Sequence, residues 1–247
     1  MKNRKKKTSR WKLILLAILS AVLVVAIIAL LLVKVFVVKN IKVEGNELYD
    51  DELISNTVLN DEYSWNSLYV FLKYTFMDTE QLPFIDTMEI SMDDPQTLTI
   101  RVYEKGLLGY LYIPAIEKNA YFDKDGIVVE TSTGVVDGVP RMEGLECDTV
   151  VLYEKLPIED KLLKQLLTLT QTLKRDGLKP DAISYGEKYA PVLKFDDIKV
   201  NLGSITYLTQ KVERIKNRLP DIEGMAGTLH LEHWSEQNTN IVFTPSE

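Results

Sequence analysis

The stretch LILLAILSAVLVVAIIALLLV, at residues 13–33, decides the architecture of this 247-residue chain. It is 21 residues long and holds no charged side chain. As an α-helix it would span roughly 30 Å, which is about the thickness of the hydrocarbon core of a bilayer. The remaining sequence is polar in the manner of water-soluble domains. We therefore expect a single transmembrane helix at residues 13–33, with one large domain region on one side of the membrane.

Positive charge lies on the amino-terminal side of this span. Residues 1–12 form a basic segment without an acid, and its cations are Lys2, Arg4, Lys5, Lys6, Lys7, Arg10 and Lys12. The first acid of the chain, Glu44, lies beyond the span. Because Lys and Arg next to a span stay in the cytoplasm, we expect a single-pass type II protein of the cell membrane. Its amino terminus would be inside, and its later residues would be outside the cytoplasm.

A cleaved signal peptide is the alternative interpretation of the same stretch. Signal peptides have an apolar core of about 7–15 residues, followed by a cleavage site with small residues. Here the apolar run is longer, and residues 30–38 at its outer end are bulky. The pattern therefore favours an uncleaved anchor, and a mature protein beginning near residue 35 would contradict it.

The charge of the chain changes sign after the span. The net charge of −7 combines nine bases and no acids in residues 1–40 with 20 bases and 36 acids in the remainder. An acidic outer region argues against nucleic-acid binding, which needs a basic face. Cys147 is the only cysteine, so no intramolecular disulfide can form, and stability must come from packed cores.

Residues 37–105 have the pattern of a small α+β domain. Alternating apolar residues predict strands at 37–43, 84–92 and 98–102. Between the first two strands, acids from Asp50 onward predict the start of one helix, and Ser64 is the expected cap of a second. The predicted order is βααββ, with the last two strands paired as a hairpin.

The second helix of this domain is rich in aromatic residues. Its apolar stripe at helical spacing consists of Trp65, Leu68, Leu72 and Phe76. We expect Trp65, Phe76 and Tyr69 to belong to the core. The remaining aromatic side chains would form a patch that faces lipid or a partner.

Residues 106–247 predict a larger mixed α+β domain. Leucines at helical spacing predict a helix over 158–175. A second helix is expected after Ser204, and Pro220 would stop it. Short strands are expected around these two helices, and the domain should end in a β-sheet edge.

The last two predicted strands, 228–234 and 240–244, matter most for function. One face of the first strand carries Leu229 and Leu231, and the opposite face carries His230, Glu232 and Trp234. If 240–244 is the last strand of a sheet, its outer edge is open to a strand from a partner. The sequence leaves one alternative, an ordinary edge that Glu236 and Pro245 protect.

Catalytic motifs are missing from the sequence. It contains no G-x-S-x-G, H-E-x-x-H, P-loop or G-x-G-x-x-G pattern, and only two histidines. The odd spacing of His230 and His233 places them on opposite faces of a strand, which argues against one shared metal ion. Cys147 has no nearby histidine in sequence to activate its thiol. We therefore expect no enzyme activity, no metal and no cofactor.

Two acidic patterns have a structural interpretation as well as a chemical one. The segment DKDG at 123–126 resembles the start of a calcium loop, but the third acid and the closing Glu are missing. A glycine-containing turn is therefore favoured. The acid pairs at 93–94 and 196–197 fall in turn-like sequence, where solvated turns are favoured over a glycosidase pair.

Several segments carry a family resemblance when they are taken in order. IKVEGNELY at 41–49, shortly after the span, resembles the opening of an FtsQ-type POTRA domain, and DPQTLTIRVYEK at 94–105 resembles the P-x-T-L-x-I-x-V-x-E-[RK] strand that closes it. YFDKDGIV at 121–128 resembles a Y-x-x-D-x-x-G-x-V turn, and VPRMEG at 139–144 a P-x-x-x-G segment. Further similar segments lie at 202–212, 227–232 and 241–245. Together they resemble the FtsQ/DivIB family of bacterial cell-division proteins.

The resemblance covers residues 1–245, and it rests on the order and spacing of the motifs behind a basic, single span. The chain departs from the family pattern at two places. His230 and Glu232 stand where the family more often has Asp and Arg. We also expect no carboxy-terminal tail, a region that some members carry.

The resemblance implies a non-enzymatic scaffold of the division machinery, located at the division septum. Members of the family bind the single-pass proteins FtsL and FtsB (DivIC), and through them regulate the synthases of septal peptidoglycan. Carried over by position, the partner-binding residues would be His233, Trp234, Ser235, Asn240, Ile241, Val242, Phe243 and Thr244. The POTRA-like domain at 37–105 would supply further contacts near the membrane.

Two other functions stay open at this point. The first is a membrane-anchored enzyme of the cell wall, whose acid pair is brought together only by the fold; converging carboxylates in a cleft would favour it. The second is a sensor or chaperone that uses POTRA-like strand edges for many clients. Restriction of the protein to the division site would disfavour that function.

Overall fold

A computed structural model describes residues 7–77, 79, 82–235 and 237–246 of the chain. Its helices and strands fall into two compact units, Met1–Glu104 and Lys105–Glu247. The predicted α+β class is confirmed, with an apolar helix at the amino terminus and a large mixed β-sheet in the second unit. Five charged residues of the sequence analysis lie outside the described residues, namely Lys2, Arg4, Lys5, Lys6 and Glu236.

The amino-terminal helix α1, Lys7–Val35, contains the predicted span. Its segment Trp11–Val35 is long and apolar enough to cross a membrane, with a mean hydropathy of 3.3 over its most apolar window. None of that window is buried in the protein, so α1 is not the core helix of a water-soluble domain. The hydroxyl of Ser20 donates to the Ala17 carbonyl (2.9 Å), so the one polar side chain of the apolar run is satisfied within the helix.

The described part of the first unit contains a three-stranded sheet and two helices after α1. The elements are β1 (Asn40–Glu44), α2 (Asp51–Val58), α3 (Ser67–Phe76), β2 (Ile85–Asp94) and β3 (Thr97–Glu104). They follow in the expected order of strand, helix, helix, strand and strand. The sheet order is β1-β3-β2, in which β3 pairs in parallel with β1 and in an antiparallel hairpin with β2.

The core of the first unit lies between this sheet and its two helices. The central strand β3 contributes Leu98, Ile100 and Val102, each 3% exposed or less. Ile54 of α2 and Val70 of α3 are fully buried against it. The alternation of β3 and the helical spacing of α2 therefore both place apolar side chains in one cluster.

The prediction for α3 was wrong in its start and in its buried face. Asn66, not Ser64, caps the helix, because its side-chain oxygen accepts the Tyr69 N–H at 2.9 Å. Tyr69 packs against the core as expected, but Trp65 and Phe76 are 46% and 78% exposed, and Ser67 and Val70 are buried instead. The helix is apolar on more than one face, so helical spacing alone did not identify the side that meets the sheet.

The chain between α1 and β1 is hydrogen-bonded to the loop before α3. We call residues 61–66 the junction loop. Asn66 Nδ2 donates to the Leu32 carbonyl (2.8 Å), and the Val38 N–H donates to the Trp65 carbonyl (2.9 Å). The sequence placed Val37 at the start of the first strand. In the structure Val37 forms an isolated bridge with Asn66, and β1 begins at Asn40.

In its described residues, the second unit contains nine strands and two α-helices. Its strands are β4 (Gly109–Ile113), β5 (Lys118–Phe122), β6 (Val128–Ser132), β7 (Arg141–Glu143), β8 (Ala182–Tyr185), β9 (Pro191–Phe195), β10 (Ile198–Asn201), β11 (Gly227–His230) and β12 (Val242–Pro245). Its helices are α4 (Asp160–Arg175) and α5 (Leu208–Arg218). All nine strands form one mixed sheet in the order β12-β11-β10-β9-β8-β7-β4-β5-β6.

The two helices of the second unit form one core with the sheet. The leucine stripe of α4 is buried as predicted, and Leu166 and Leu169 are 0% exposed. α5 begins at Leu208 instead of just after Ser204, because Tyr207 adopts a left-handed conformation (φ 56°) immediately before it. Val212 and Ile215 then bury the expected face of α5.

Candidate functional site

The candidate site is the outer edge of β12. This strand is the last in the order of the nine-stranded sheet, and within the described residues it pairs only with β11. The pairing is antiparallel, with Leu229 opposite Phe243 and Thr228 opposite Thr244. The side of β12 that faces away from β11 is therefore an edge in the described part of the chain.

The hydrogen bonds of β11 and β12 identify which backbone groups face outward. The Ser246 N–H donates to the Ala226 carbonyl at 2.9 Å, so these two residues oppose each other as a hydrogen-bonded pair. Because such pairs alternate in an antiparallel ladder, Val242 and Thr244 direct their N–H and C=O groups toward β11. Phe243 directs both groups outward, and Ile241 continues that alternation just before the strand.

Pro245 fits this assignment of the outer edge. It opposes Gly227, a position whose backbone groups face away from β11 by the same alternation. Proline has no N–H and is tolerated in strands mainly where that donor is not needed in the sheet. The available outward donors of the edge are thus the N–H groups of Ile241 and Phe243.

The side chains of β12 divide between the core and the solvent. Phe243 and Ile241 are partly buried and pack against the core of the second unit. Val242 is 57% exposed, and Thr244 is also exposed. A strand added to this edge would therefore meet Val242 and Thr244 on one face.

The strand at the opposite end of the sheet, β6, has an edge that other parts of the chain partly cover. The N–H of Val128, at the start of β6, donates to the Glu154 carbonyl (2.9 Å), and the Val128 carbonyl accepts from the Tyr153 N–H (2.8 Å). Further along, Lys105 Nζ donates to the Val129 carbonyl at 3.2 Å. Part of the β6 edge is thus occupied by the protein's own chain, which is one way in which proteins protect sheet edges.

The loop that leads into β12 is held by local hydrogen bonds. The backbone groups of Ser235 and Asn238 bond each other in both directions (3.0 and 3.1 Å), and Asn238 Nδ2 donates to the His233 carbonyl (3.3 Å). His233 and Asn240 are exposed, and Ser235 is partly exposed. These three residues of the sequence-predicted surface therefore lie in the loop next to the edge.

Trp234 does not lie where the sequence pattern placed it. β11 ends at His230, and Leu231 and Trp234 are both buried, Trp234 at 7% exposure. Its ring packs edge-on against Tyr207, with a centroid distance of 5.8 Å. The alternation of a strand does not continue past His230, and the Trp234 side chain belongs to the core, where it is largely inaccessible to a partner.

A buried lysine holds the segment that follows β10. Lys211 of α5 is 1% exposed, and its Nζ donates to the Leu202 carbonyl (2.7 Å) and the Ser204 carbonyl (3.0 Å). Burial lowers the pKa of Lys211, and the negative charge of Glu232 acts in the opposite direction. Lys211 therefore fixes the segment against which the end of β11 packs.

His230 and Glu232 form a hydrogen-bonded pair at the end of β11. His230 Nδ1 lies 2.9 Å from Glu232 Oε1. Burial tends to raise the pKa of Glu232, but hydrogen bonds from its own backbone and from His230 outweigh it and lower the pKa. Within the described ranges, no group of three or more His, Cys, Asp or Glu side chains is arranged to hold a metal ion.

The acid pair at 196–197 lies in a turn, as the sequence predicts. Both residues are exposed in the connection between β9 and β10, and the Asp196 N–H donates to Asp181 Oδ2. They line a depression of about 290 Å³ together with Glu223 and Met225. All three carboxylates are exposed, as expected for acids in solvated turns.

Two further candidates from the sequence are the DKDG segment at 123–126 and Cys147. Asp123 Oδ1 accepts the N–H groups of Asp125 and Ile127, both at 2.9 Å, which closes the DKDG segment as a turn. The pKa of the Cys147 thiol is raised, first by burial and then by Asp148. That direction is opposite to the one that activates a nucleophilic thiol.

No model of a known protein family matches the chain, and no curated protein matches it either. The functional assignment therefore depends on the geometry of the sheet edge and on the motifs of the sequence.

Proposed function

We propose that the protein is a non-enzymatic, membrane-anchored scaffold that binds a partner by adding a strand to the outer edge of β12. The observation that carries this proposal is the position of β12 at the end of the nine-stranded sheet, with backbone groups of Phe243 directed outward. Main-chain hydrogen bonds would supply affinity, and the exposed side chains of Val242 and Thr244 would supply selectivity.

The class of partner comes from the resemblance to the FtsQ/DivIB family. On that basis we propose FtsL-like and FtsB/DivIC-like single-pass proteins as the partners, and regulation of septal peptidoglycan synthesis as the outcome. The binding surface consists of His233, Ser235, Asn240, Ile241, Val242, Phe243 and Thr244. Trp234 is left out of this surface because its side chain is buried.

The anchor of the scaffold is α1, which is long and apolar enough to span a bilayer. The hydrogen bond from Asn66 to the Leu32 carbonyl supports an uncleaved anchor, since removal of α1 would leave this part of the junction loop without its partner. With the basic segment at residues 1–12 in the cytoplasm, both folded units would lie outside it.

The proposal is tested by placing a proline at Ile241 in the full-length chain. Ile241→Pro removes one outward N–H donor and leaves the ladder between β11 and β12 intact. The net value of a hydrogen bond is about 1 kcal/mol, so we expect an affinity loss of at least about fivefold for an FtsB/DivIC-like partner. Binding is measured by titration of the purified partner onto the chain in lipid nanodiscs.

Thr239→Pro is the matched control for this experiment. It removes a backbone donor from the exposed loop two residues earlier, outside the strand. The control should bind the partner like the parent chain, and both variants should keep the parent's circular dichroism spectrum. Equal affinity of Ile241→Pro and Thr239→Pro would remove the strand-addition mechanism.

A further inference from the structure

The outward face of α3 carries an apolar stripe that the protein itself does not cover. The α3 stripe consists of Trp65, Leu68, Leu72 and Phe76. Trp65, Leu72 and Phe76 are 46%, 42% and 78% exposed. Spacings of four residues place Leu68, Leu72 and Phe76 on one side of the helix, and Trp65 lies in the junction loop just before the helix begins.

The other side of α3 faces the core of the first unit. Ser67 and Val70 are fully buried, and the Ser67 hydroxyl donates to the Pro95 carbonyl in the turn between β2 and β3. Tyr74 is also packed against this core. The α3 stripe is thus directed away from the sheet, and an aqueous location would leave several large apolar side chains in contact with water.

The junction loop holds the start of α3 beside the end of α1. Asn66 Nδ2 donates to the carbonyl of Leu32, a residue of the uncharged run 13–33. The Ser67 N–H donates to the Phe36 carbonyl at 3.2 Å. Trp65 therefore lies at the level where the apolar part of α1 ends, which is where Trp side chains are enriched in membrane proteins.

Exposed cations lie at the same level. Lys34 is in the last turn of α1, and Lys39 lies just before β1. Both side chains are exposed, and both follow the apolar run closely in sequence. Lipid phosphate groups would complement these charges beside the α3 stripe.

We propose that α3 lies in the outer interface of the bilayer that α1 spans, with the α3 stripe against the boundary between headgroups and acyl chains. α3 is about 15 Å long, so a helix lying in the membrane plane brings the whole stripe to this layer. The inference rests on the proposed function only in that α1 must be an inserted anchor. A lipid surface is the occupant because the stripe begins in the junction loop, which is hydrogen-bonded to Leu32 at the end of the span and to Val38 just after it.

The inference is tested with single cysteines that carry an environment-sensitive fluorophore in a Cys147→Ser background. Leu72→Cys places the probe on the α3 stripe, and Leu53→Cys on α2 is the matched control, since the two leucines are 42% and 43% exposed. The full chain is reconstituted into phosphatidylcholine nanodiscs, with and without lipid that carries a spin-label quencher near the headgroup. We expect blue-shifted emission and quenching at position 72, and neither at position 53.

A third probe separates failure of this inference from failure of the anchor. Leu23→Cys lies within α1 and should be quenched by lipid that is spin-labelled deep in its acyl chain. If position 23 is quenched and position 72 stays in water, the inference is overturned while the anchor stands. If position 23 is not quenched, both are overturned. Equal quenching at positions 53 and 72 would also overturn the inference about α3. So would a probe at position 72 that is protected from water only after a partner protein is added.

Discussion

Gly227 is the residue on which the packing of β12 depends most directly. A Cβ atom at this position would lie 2.5 Å from the Phe243 ring and 2.5 Å from the Thr244 carbonyl oxygen. Gly227→Ala should therefore push β12 away from β11 and destabilise the pairing by about 1–3 kcal/mol. We expect faster hydrogen exchange at the Val242 and Thr244 amides, measured by mass spectrometry on the full chain.

Gly186→Ala is the control for this substitution. In the described part of the chain, a Cβ atom at Gly186 would have no heavy atom within 4 Å apart from those of Gly186 and its two chain neighbours. In Gly186→Ala, hydrogen exchange of the β12 amides should match that of the parent chain. Unchanged exchange in Gly227→Ala would show that β12 tolerates displacement and that the close contact has no energetic consequence.

Asp61 makes the junction loop sensitive to acid. Its carboxylate accepts hydrogen bonds from Lys73 Nζ (2.8 Å), the Ser64 hydroxyl (2.9 Å) and the Tyr69 hydroxyl (3.0 Å). The hydrogen bond from Lys73 contributes most to holding the pKa of Asp61 well below its usual range, and those from Ser64 and Tyr69 add to the effect. The folded protein therefore keeps Asp61 charged at pH values where the unfolded chain protonates it.

This lowered pKa predicts a loss of stability with falling pH. The contribution of Asp61 is complete above the unfolded pKa of about 4 and decreases as the pH falls toward the folded value. Asp61→Asn should lower the thermal unfolding temperature near neutral pH and weaken its dependence on pH between about 5 and 3. Glu62→Gln removes one charge from an exposed neighbouring acid and is the control. If the unfolding temperature of Glu62→Gln depended on pH as weakly as that of Asp61→Asn, the effect would not come from the hydrogen bonds of Asp61.

At the scale of helices, the pattern of apolar residues predicted α4 well and α3 poorly. In α4, polar residues separate the leucine stripe from the solvent side, so only one face can be buried, and that face is buried. In α3, Val70 competes with Leu72 and Phe76 for the core, and spacing does not distinguish between them. The start of the helix is set by Asn66, which caps the Tyr69 N–H and also bonds the Leu32 carbonyl.

The two hydrogen bonds of Asn66 can be separated by substitution. Asn66→Asp keeps an oxygen that caps the Tyr69 N–H but removes the amide donor to the Leu32 carbonyl, whereas Asn66→Ala removes both. We expect Asn66→Ala to destabilise α3 by about 1 kcal/mol and Asn66→Asp to leave the helix intact. Hydrogen exchange of α3 measures the cap.

The bond to Leu32 needs a second measurement. A spin label at Val38, introduced in the Cys147→Ser background, reports the mobility of the chain between α1 and β1. Its mobility should increase in both Asn66 variants. If Asn66→Asp left the label as immobile as in the parent, the amide bond to α1 would have no role in holding the junction.

Strands posed a different problem from helices. The sequence identified the two closing strands, because their existence depends on local alternation. It extended β11 to Trp234, although the ladder ends at His230 and Trp234 turns into the core. The order of the nine strands depends on long-range pairings, such as the parallel contact of β7 with β8, for which alternation holds no information.

At the scale of the whole molecule, the proposed function predicts a location. A fluorescent fusion of the full chain should form a band at the division site of growing cells, since the proposed partners act there. A fusion in which a foreign transmembrane helix replaces residues 13–33 should keep this band if the folded units recruit the protein. Uniform membrane fluorescence of the parent fusion throughout the division cycle would contradict the division role.

The bonds between the end of α1 and the junction loop have one consequence for how partners meet this protein. Residues 36–38 are tied to residues 65–67 by backbone hydrogen bonds, so the passage from α1 to the sheet and helices that follow it in the first unit is not a flexible tether. An inserted α1 would hold these elements at a set height and tilt relative to the lipid. A partner confined to the same bilayer would then meet them by lateral diffusion in two dimensions, with fewer relative orientations to search than in solution.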